Sequence, residues 1–150
     1  MTEVLFRGKR IDNQEWVYGF YFCTRHKDDR NHTHHFIIPL DVPLPKDKPI
    51  GEIQVEVVGT TVSQFTGVVD KNNNKIFCGD IIYIKFEYQS QFDDDEICTM
   101  ESIQKVVSAA GGYNAITTYG WITYMNNVPA VATEIIGNIY DNPELFEANK

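Results

Sequence analysis

At 150 residues the chain is long enough for one domain with a buried core and too short for several of ordinary size. Hydrophobic residues make up 43% and aromatic residues 13%, which excludes a disordered chain. The net charge of −8 argues against non-specific nucleic-acid binding, which needs clustered Lys and Arg to neutralise phosphate. The three cysteines, Cys23, Cys78 and Cys98, are an odd number at wide spacing. They read as thiols in a reducing compartment rather than as a disulfide scaffold. The first residues, MTEVLFRGKR, contain no apolar signal-peptide core, and no apolar run reaches the roughly 18 residues of a membrane helix. The expected location is the cytoplasm, with no membrane partner.

In chain order, "EVLFRGKRI" and "EWVYGFYFC" read as two short strands joined through a turn at Asp12–Gln14. The second alternates strictly, with Trp16, Tyr18, Phe20 and Phe22 on one face and Val17, Gly19, Tyr21 and Cys23 on the other. Trp16 and Tyr18 are expected to anchor the core. A polar hairpin tip, "TRHKDDRNHTHH", precedes the apolar run Phe36–Leu40. "DVPLPKDKP" holds three prolines and is irregular, because proline cannot donate to a ladder. It suggests two subregions, 1–48 and 49–150, within a single domain spanning 1–150. "EIQVEVV" and "DIIYIKFEY" alternate again, and "QSQFDDDEI" is an acidic loop. "SIQKVV", "YNAITTY", "WITYM" and "TEIIGNIY" complete a set of about eight to ten short strands, the pattern of an antiparallel barrel or sandwich. "DNPELFE" places Asn142 as N-cap and Pro143 at the first position of a short C-terminal helical turn.

The stretch "QFTGVVDKNNNKIFCGDII", Gln64 to Ile82, gathers acids, amides and a thiol around a glycine. As local structure it is a hairpin. Asp70–Lys75 are turn formers, and Asn tolerates positive φ, so an Asn-Asn pair can stand in for Asn-Gly. Gly79-Asp80 then marks a bulge or sharp bend that Asp80 braces. As a nucleophilic or metal site the stretch is poorly equipped. The nearest histidine in sequence to Cys78 is His35, and the carboxylates lack calcium-loop spacing.

Three segments carry a resemblance: this hairpin stretch, "FRGKRIDNQEWVYGFYF" at Phe6–Phe22, and "EIIGNIYDNPEL" at Glu134–Leu145. In that order they resemble the YopX family, small proteins of bacteriophages and prophages, and together cover about a third of the chain. The family usually has Gly where Asn73 stands, Glu where Cys78 stands, and Gly where Ser63 stands. The resemblance implies an all-β fold, an SH3-like barrel elaborated with additional strands, and subunits that associate. It supplies no catalytic residue, because no activity is established for the family. Gly67, Gly79, Asp80, Gly137, Asn138 and Tyr140 are the expected structural positions of its motifs.

Two further groups of residues offer chemistry. Cys23, His26, His32, His34 and His35 lie on one hairpin, and C-x2-H followed by H-x-H could surround zinc with nitrogen and sulfur. The alternative is a solvated loop of titrating imidazoles. Arg7, Lys9 and Arg10, with Trp16, Tyr18 and Tyr21, could form a basic and aromatic platform for single-stranded nucleic acid. The overall acidity argues against this, and the aromatics are better explained as core. The run Asp93–Glu96 is a solvated loop, since contiguous carboxylates in a strand point alternately. No phosphate-binding loop, Ser/His/Asp set or carboxylate–base pair is recognisable.

The sequence therefore suggests a non-enzymatic interaction or assembly protein of phage or prophage origin, without a cofactor and working in a bacterial cytoplasm. Its expected partners are other copies of itself, as a homo-oligomer, and a phage or host protein. A nucleic-acid accessory role in phage replication or recombination, and zinc binding through Cys23, His26, His32 and His34, stand as alternatives.

Overall fold

The structure, a computed structural model, describes residues 3–25, 28, 31–43, 45–110 and 112–147. It contains two compact units, Met1–Phe65 and Thr66–Lys150.

In the first unit β1 (Phe6–Lys9), β2 (Trp16–Arg25), β3 (Thr33–Pro39) and β4 (Val55–Val57) are ordered β4-β3-β2-β1, all antiparallel. The opening residues of β5 (Ser63–Val69) pair with β1, Ser63 opposite Arg7 and Gln64 opposite Phe6. The expected turn joins β1 to β2: the Arg10 N–H donates to the Glu15 carbonyl at 2.9 Å, and Gln14 takes φ +62°. Val17, Ile37 and Val57 form the core, with Tyr21, Val55 and Val62 packed against them.

The expectation that Trp16 and Tyr18 anchor the core is overturned. Tyr18 is 43% exposed and Phe20 56%, whereas their neighbours Val17 and Gly19 are buried. The reason is steric. Gly19 lies so close to β3 that an added Cβ would run into the Ile38 carbonyl, so only a residue without a side chain fits there. The inward face is thus the one carrying glycine and valine, and the larger rings turn outward.

The second unit holds β6 (Lys75–Phe77), β7 (Asp80–Gln89), β8 (Ile97–Ala109), β9 (Gly112–Ile116), β10 (Ile122–Tyr124), β11 (Thr133–Asn138) and α1 (Pro143–Glu147). Five of these strands form an antiparallel sheet ordered β10-β9-β8-β7-β11, and β6 pairs with the later part of β5. Ile76, Ile82, Ile84, Val106, Ala115 and Met125 are its buried core. The all-β class and the C-terminal helical turn are as expected. The SH3-like barrel is not shown: the ladders form two antiparallel sheets, with β4 also returning to the end of β1, where Arg10 bridges to Val57, the Val58 N–H donates to the Lys9 carbonyl at 2.8 Å and the Ile11 N–H to the Glu56 carbonyl at 3.1 Å. Strand β10, at the end of its sheet, has three residues, a short edge that offers little backbone for unwanted pairing.

The hairpin between β5 and β7 is where the turn chemistry acts. Asn73 takes φ +64°, the left-handed conformation that Asn tolerates better than other non-glycine residues. Asp70 is 2% exposed, and its carboxylate accepts hydrogen bonds from the N–H groups of Asn72 (2.9 Å), Asn74 (2.9 Å) and Ile135 (3.1 Å). Burial alone would push this carboxyl up. The backbone donors outweigh it and hold Asp70 below the usual carboxylate range. Lys71 adds an N–H to the Thr133 carbonyl at 2.9 Å and an ion pair with Glu134 at 2.8 Å. The turn is thereby fastened to β11.

Gly79 and Asp80 make the second bend. Gly79 has φ +90°, and Asp80, 2% exposed, accepts the Phe77 N–H at 2.7 Å. The bend meets the C-terminal motif: the Ile139 N–H donates to the Gly79 carbonyl at 2.9 Å, and a Cβ at Gly79 would lie 3.1 Å from the Tyr140 ring. Asn138 shapes the following turn, its Oδ1 accepting the N–H groups of Tyr140 (3.0 Å) and Asp141 (2.9 Å). A Cβ at Gly137 would fall 2.7 Å from Asn142 Oδ1, so this position is held by close approach.

Two stability measurements test these bends. Asp70→Ala removes the acceptor of three N–H groups and is expected to cost about 1–3 kcal/mol in urea denaturation at pH 7. Because the folded pKa is depressed, the carboxylate's contribution is present above the ordinary Asp value of about 3.9 and is lost as pH falls through the lower folded value. The gap between wild type and Asp70→Ala should therefore narrow in acid; a gap independent of pH would refute the assignment. Gly79→Ala should cost about 1–2 kcal/mol from its left-handed backbone alone, read as a lowered Tm.

Candidate interaction surface

The outward face of the first unit is built by simple alternation. On β2, Trp16, Tyr18, Phe20 and Phe22 point away from the Val17–Ile37–Val57 core. Register sets Ile38 of β3 opposite Phe20, Phe36 opposite Phe22, and His34 opposite Thr24. The Phe22 and Phe36 rings stack with centres 5.3 Å apart, and the His34 ring stacks on Phe36 at 6.4 Å. A row of aromatic side chains thus runs along one sheet face.

At one end this face opens into a cleft of about 620 Å³ walled by Trp16, Tyr18, Leu40, Val42 and Ile53. Glu15, Asp41 and Glu52 line it together with Arg10. Arg10 is held by Asp12 in a two-pronged contact at 2.9 and 2.8 Å. Among the described residues neither histidine nor cysteine lines it.

At the other end lies the histidine hairpin. His32 and His34 share the outward face, their rings 4.6 Å apart. His34 Nδ1 sits 2.8 Å from Glu56 Oε1 of β4. Cys23 is opposite His35 in the ladder and belongs to the other face, where His35 Nδ1 meets the Tyr21 hydroxyl at 2.7 Å. The structure therefore separates the expected zinc set: alternation sends Cys23 and His35 one way and His32 and His34 the other. His26 lies outside the described residues. Among the described residues no three His, Cys, Asp or Glu side chains converge on one point.

The basic platform expected from Arg7, Lys9 and Arg10 is dismantled in a different way. Arg7 is 5% exposed; its Nε donates to Ser63 Oγ at 3.1 Å, and its guanidinium lies 4.6 Å from the Trp16 ring centre. Lys9 Nζ stands 5.6 Å from the same ring, and Arg10 is engaged by Asp12. Tyr21 faces inward. Arg7 is thereby built into the fold, while Lys9 and Arg10 remain part-exposed. Ser63 supplies the hydroxyl that receives Arg7.

The remaining candidates have structural settings. Cys78 is half-buried, its Sγ 3.9 Å from the Val106 carbonyl. Asp93 shapes the acidic loop by accepting the Asp95 N–H at 3.0 Å, and the four carboxylates are exposed. Sequence reasoning missed the Glu56–His34 pair and the reach of Asp70 to Ile135, both long-range in sequence and without a local signal. Among the described residues no helix is long and apolar enough to cross a membrane.

No curated protein matches this chain. Among solved structures it is similar to the crystal structure of protein EF1440 from Enterococcus faecalis, at 21% identity and a TM-score of 0.54, over 97% of this chain and 99% of that one. That likeness shows the fold. The YopX protein family matches residues 5–147, nearly the whole length, including the two turns and the C-terminal bend built around Asn73, Gly79 and Asn138. The chain belongs to the YopX family.

Proposed function

We propose that this is a phage- or prophage-derived protein that acts without catalysis, by protein–protein contact, assembling with copies of itself and with a phage or host protein through the aromatic face of β2 and β3. The observation that carries this reading is the outward row Tyr18–Phe20–Phe22 with Phe36 and Ile38, in which Tyr18 and Phe20 are about half exposed. Single exposed apolar residues are ordinary, but a contiguous aromatic strip on a flat sheet face is the composition of a recognition surface. Aromatic rings bury large area while losing little conformational freedom, so such strips act as anchors. The cleft beside the strip supplies depth.

A native mass spectrum of the untagged protein tests the reading. A discrete multimer is the expected outcome; a strictly monomeric protein that turns over a substrate would refute it. Phe20→Glu places a charge in the middle of the strip and is expected to weaken self-association by about 2 kcal/mol or more, roughly thirtyfold in Kd. Its Tm should hardly move, because the ring is largely exposed in the single chain.

A further inference from the structure

We propose that the open edge of β8, from Ile97 to Ile103, takes up an extended segment of a partner protein as an added strand, a segment in which basic and aliphatic residues alternate. This site is separate from the aromatic face of β2 and β3 and goes beyond the assembly reading.

Strand β8 runs for 13 residues, but β9 pairs with it only from Lys105 to Ala109. On its other side β7 stays beside it as far as Ile97, whereas β11 leaves β7 at Ile84. Lys85–Gln89 and Ile97–Glu101 therefore form a ribbon with no third strand among the described residues. Two strands alone are marginal in water, and an unpaired strand edge is a template for another chain.

A cleft of about 370 Å³ opens beside this edge, with Met100, Ser102 and Ile103 on one wall and Tyr119 and Trp121 on the other. The turn after β9 builds the second wall. The Thr117 N–H donates to the Trp121 carbonyl at 3.0 Å, and the Trp121 N–H returns to Thr117 Oγ1 at 3.1 Å. Tyr119 and Trp121 are 75% and 72% exposed. In strand addition the main chain supplies affinity, and pockets for alternate side chains supply specificity.

Alternation and charge define the occupant. Register sets Met100 opposite Phe86 and Cys98 opposite Tyr88, with the Phe86 and Tyr88 rings 6.4 Å apart, so one face of the ribbon is apolar. Glu101 lies on the other face, 3.4 Å from Lys85. An added strand continues both faces, which calls for aliphatic residues on one and cationic residues on the other. From Lys85 to Glu101 six residues are acidic and one is basic. Two such ribbons laid edge to edge repel, whereas a basic strand is attracted, so a foreign segment fits better than a second copy.

The test is fluorescence anisotropy at low salt, with the full chain and a labelled eight-residue peptide of alternating lysine and valine. Its comparisons are the same composition in two blocks, an alternating glutamate–valine peptide, and the lysine–valine peptide with methylated backbone nitrogens. Expected is binding about tenfold or more tighter than any of the three, with hydrogen exchange slowed over Ile97–Ile103. Glu96→Lys/Glu101→Lys and Trp121→Ala should each weaken it about tenfold at unchanged Tm, since all three side chains are exposed. Phe20→Glu should leave it unchanged. Equal binding of the block or methylated peptide overturns the inference, as does protection confined to other segments. A multimer that ignores the peptide refutes this site and leaves the assembly reading intact. A monomer that binds it supports this site and counts against that reading.

Discussion

The buried carboxylate of Asp70 organises the second unit. Taking an ionised side chain out of water is costly unless its lone pairs are satisfied, and here three backbone N–H groups from two segments satisfy them. Two of those donors close the Asn72–Asn74 turn and the third belongs to β11, more than sixty residues away in sequence. One side chain therefore makes a local turn and a long-range attachment at once. Neither can loosen without exposing a buried charge to an incomplete shell. The Gly79–Asp80 bend does the same for the C-terminal motif, through the Ile139 N–H on one side and the Phe77 N–H on the other. Two motifs far apart in the sequence thus occur together because they are halves of one structure.

This explains which parts of the molecule could be read in advance. Turn chemistry is local: Asn73 at positive φ, the Asp12–Gln14 turn, the Gly79 bend and Pro143 opening α1 each follow from what a few adjacent residues can do. Asn142 stands at the expected N-cap position, its carbonyl accepting the Leu145 N–H at 3.1 Å, while its Oδ1 accepts the Asn138 N–H of the preceding turn at 3.4 Å. The alternation of β2 was legible, but which face turns inward was not, because both faces are apolar and the deciding contact is Gly19 against a strand that follows a long loop. Strand β8 starts at Ile97, earlier than its alternation suggests, because its first residues pair with the exposed half of β7. Spacing alone likewise drew Cys23 to the histidines, whereas the hairpin register assigns them to opposite faces.

An exposed aromatic strip carries a cost of its own. Rings left in water forgo the stabilisation that burial would bring, about 1.5–3 kcal/mol for each fully buried phenylalanine. The sheet could cover its outward face with polar side chains at no loss to the Val17–Ile37–Val57 core, since the two faces are independent in a strand. That it presents Tyr18, Phe20, Phe22 and Phe36 instead is a feature the fold itself does not require, and it is the feature on which the proposed assembly role rests. The acidic balance of the chain, with Arg7 and Arg10 already engaged, favours a protein surface over a phosphate backbone as the other side of that contact.

The interior then determines what the exterior can show. Tyr21, Cys23 and His35 stand on the inward side of the β2–β3 hairpin, and the Tyr21–His35 hydrogen bond at 2.7 Å ties the two strands in one register. A slip of β2 by a single residue would carry Phe20 and Phe22 inward and Tyr21 outward, away from His35, and would drive a side chain into the space that Gly19 leaves for the Ile38 carbonyl. The core therefore rejects every odd shift. Because the register is fixed from within, Phe22 meets Phe36, His34 meets Glu56, and His32 stands beside His34 on the outside. The outward face inherits its geometry from a glycine and a tyrosine that it does not display.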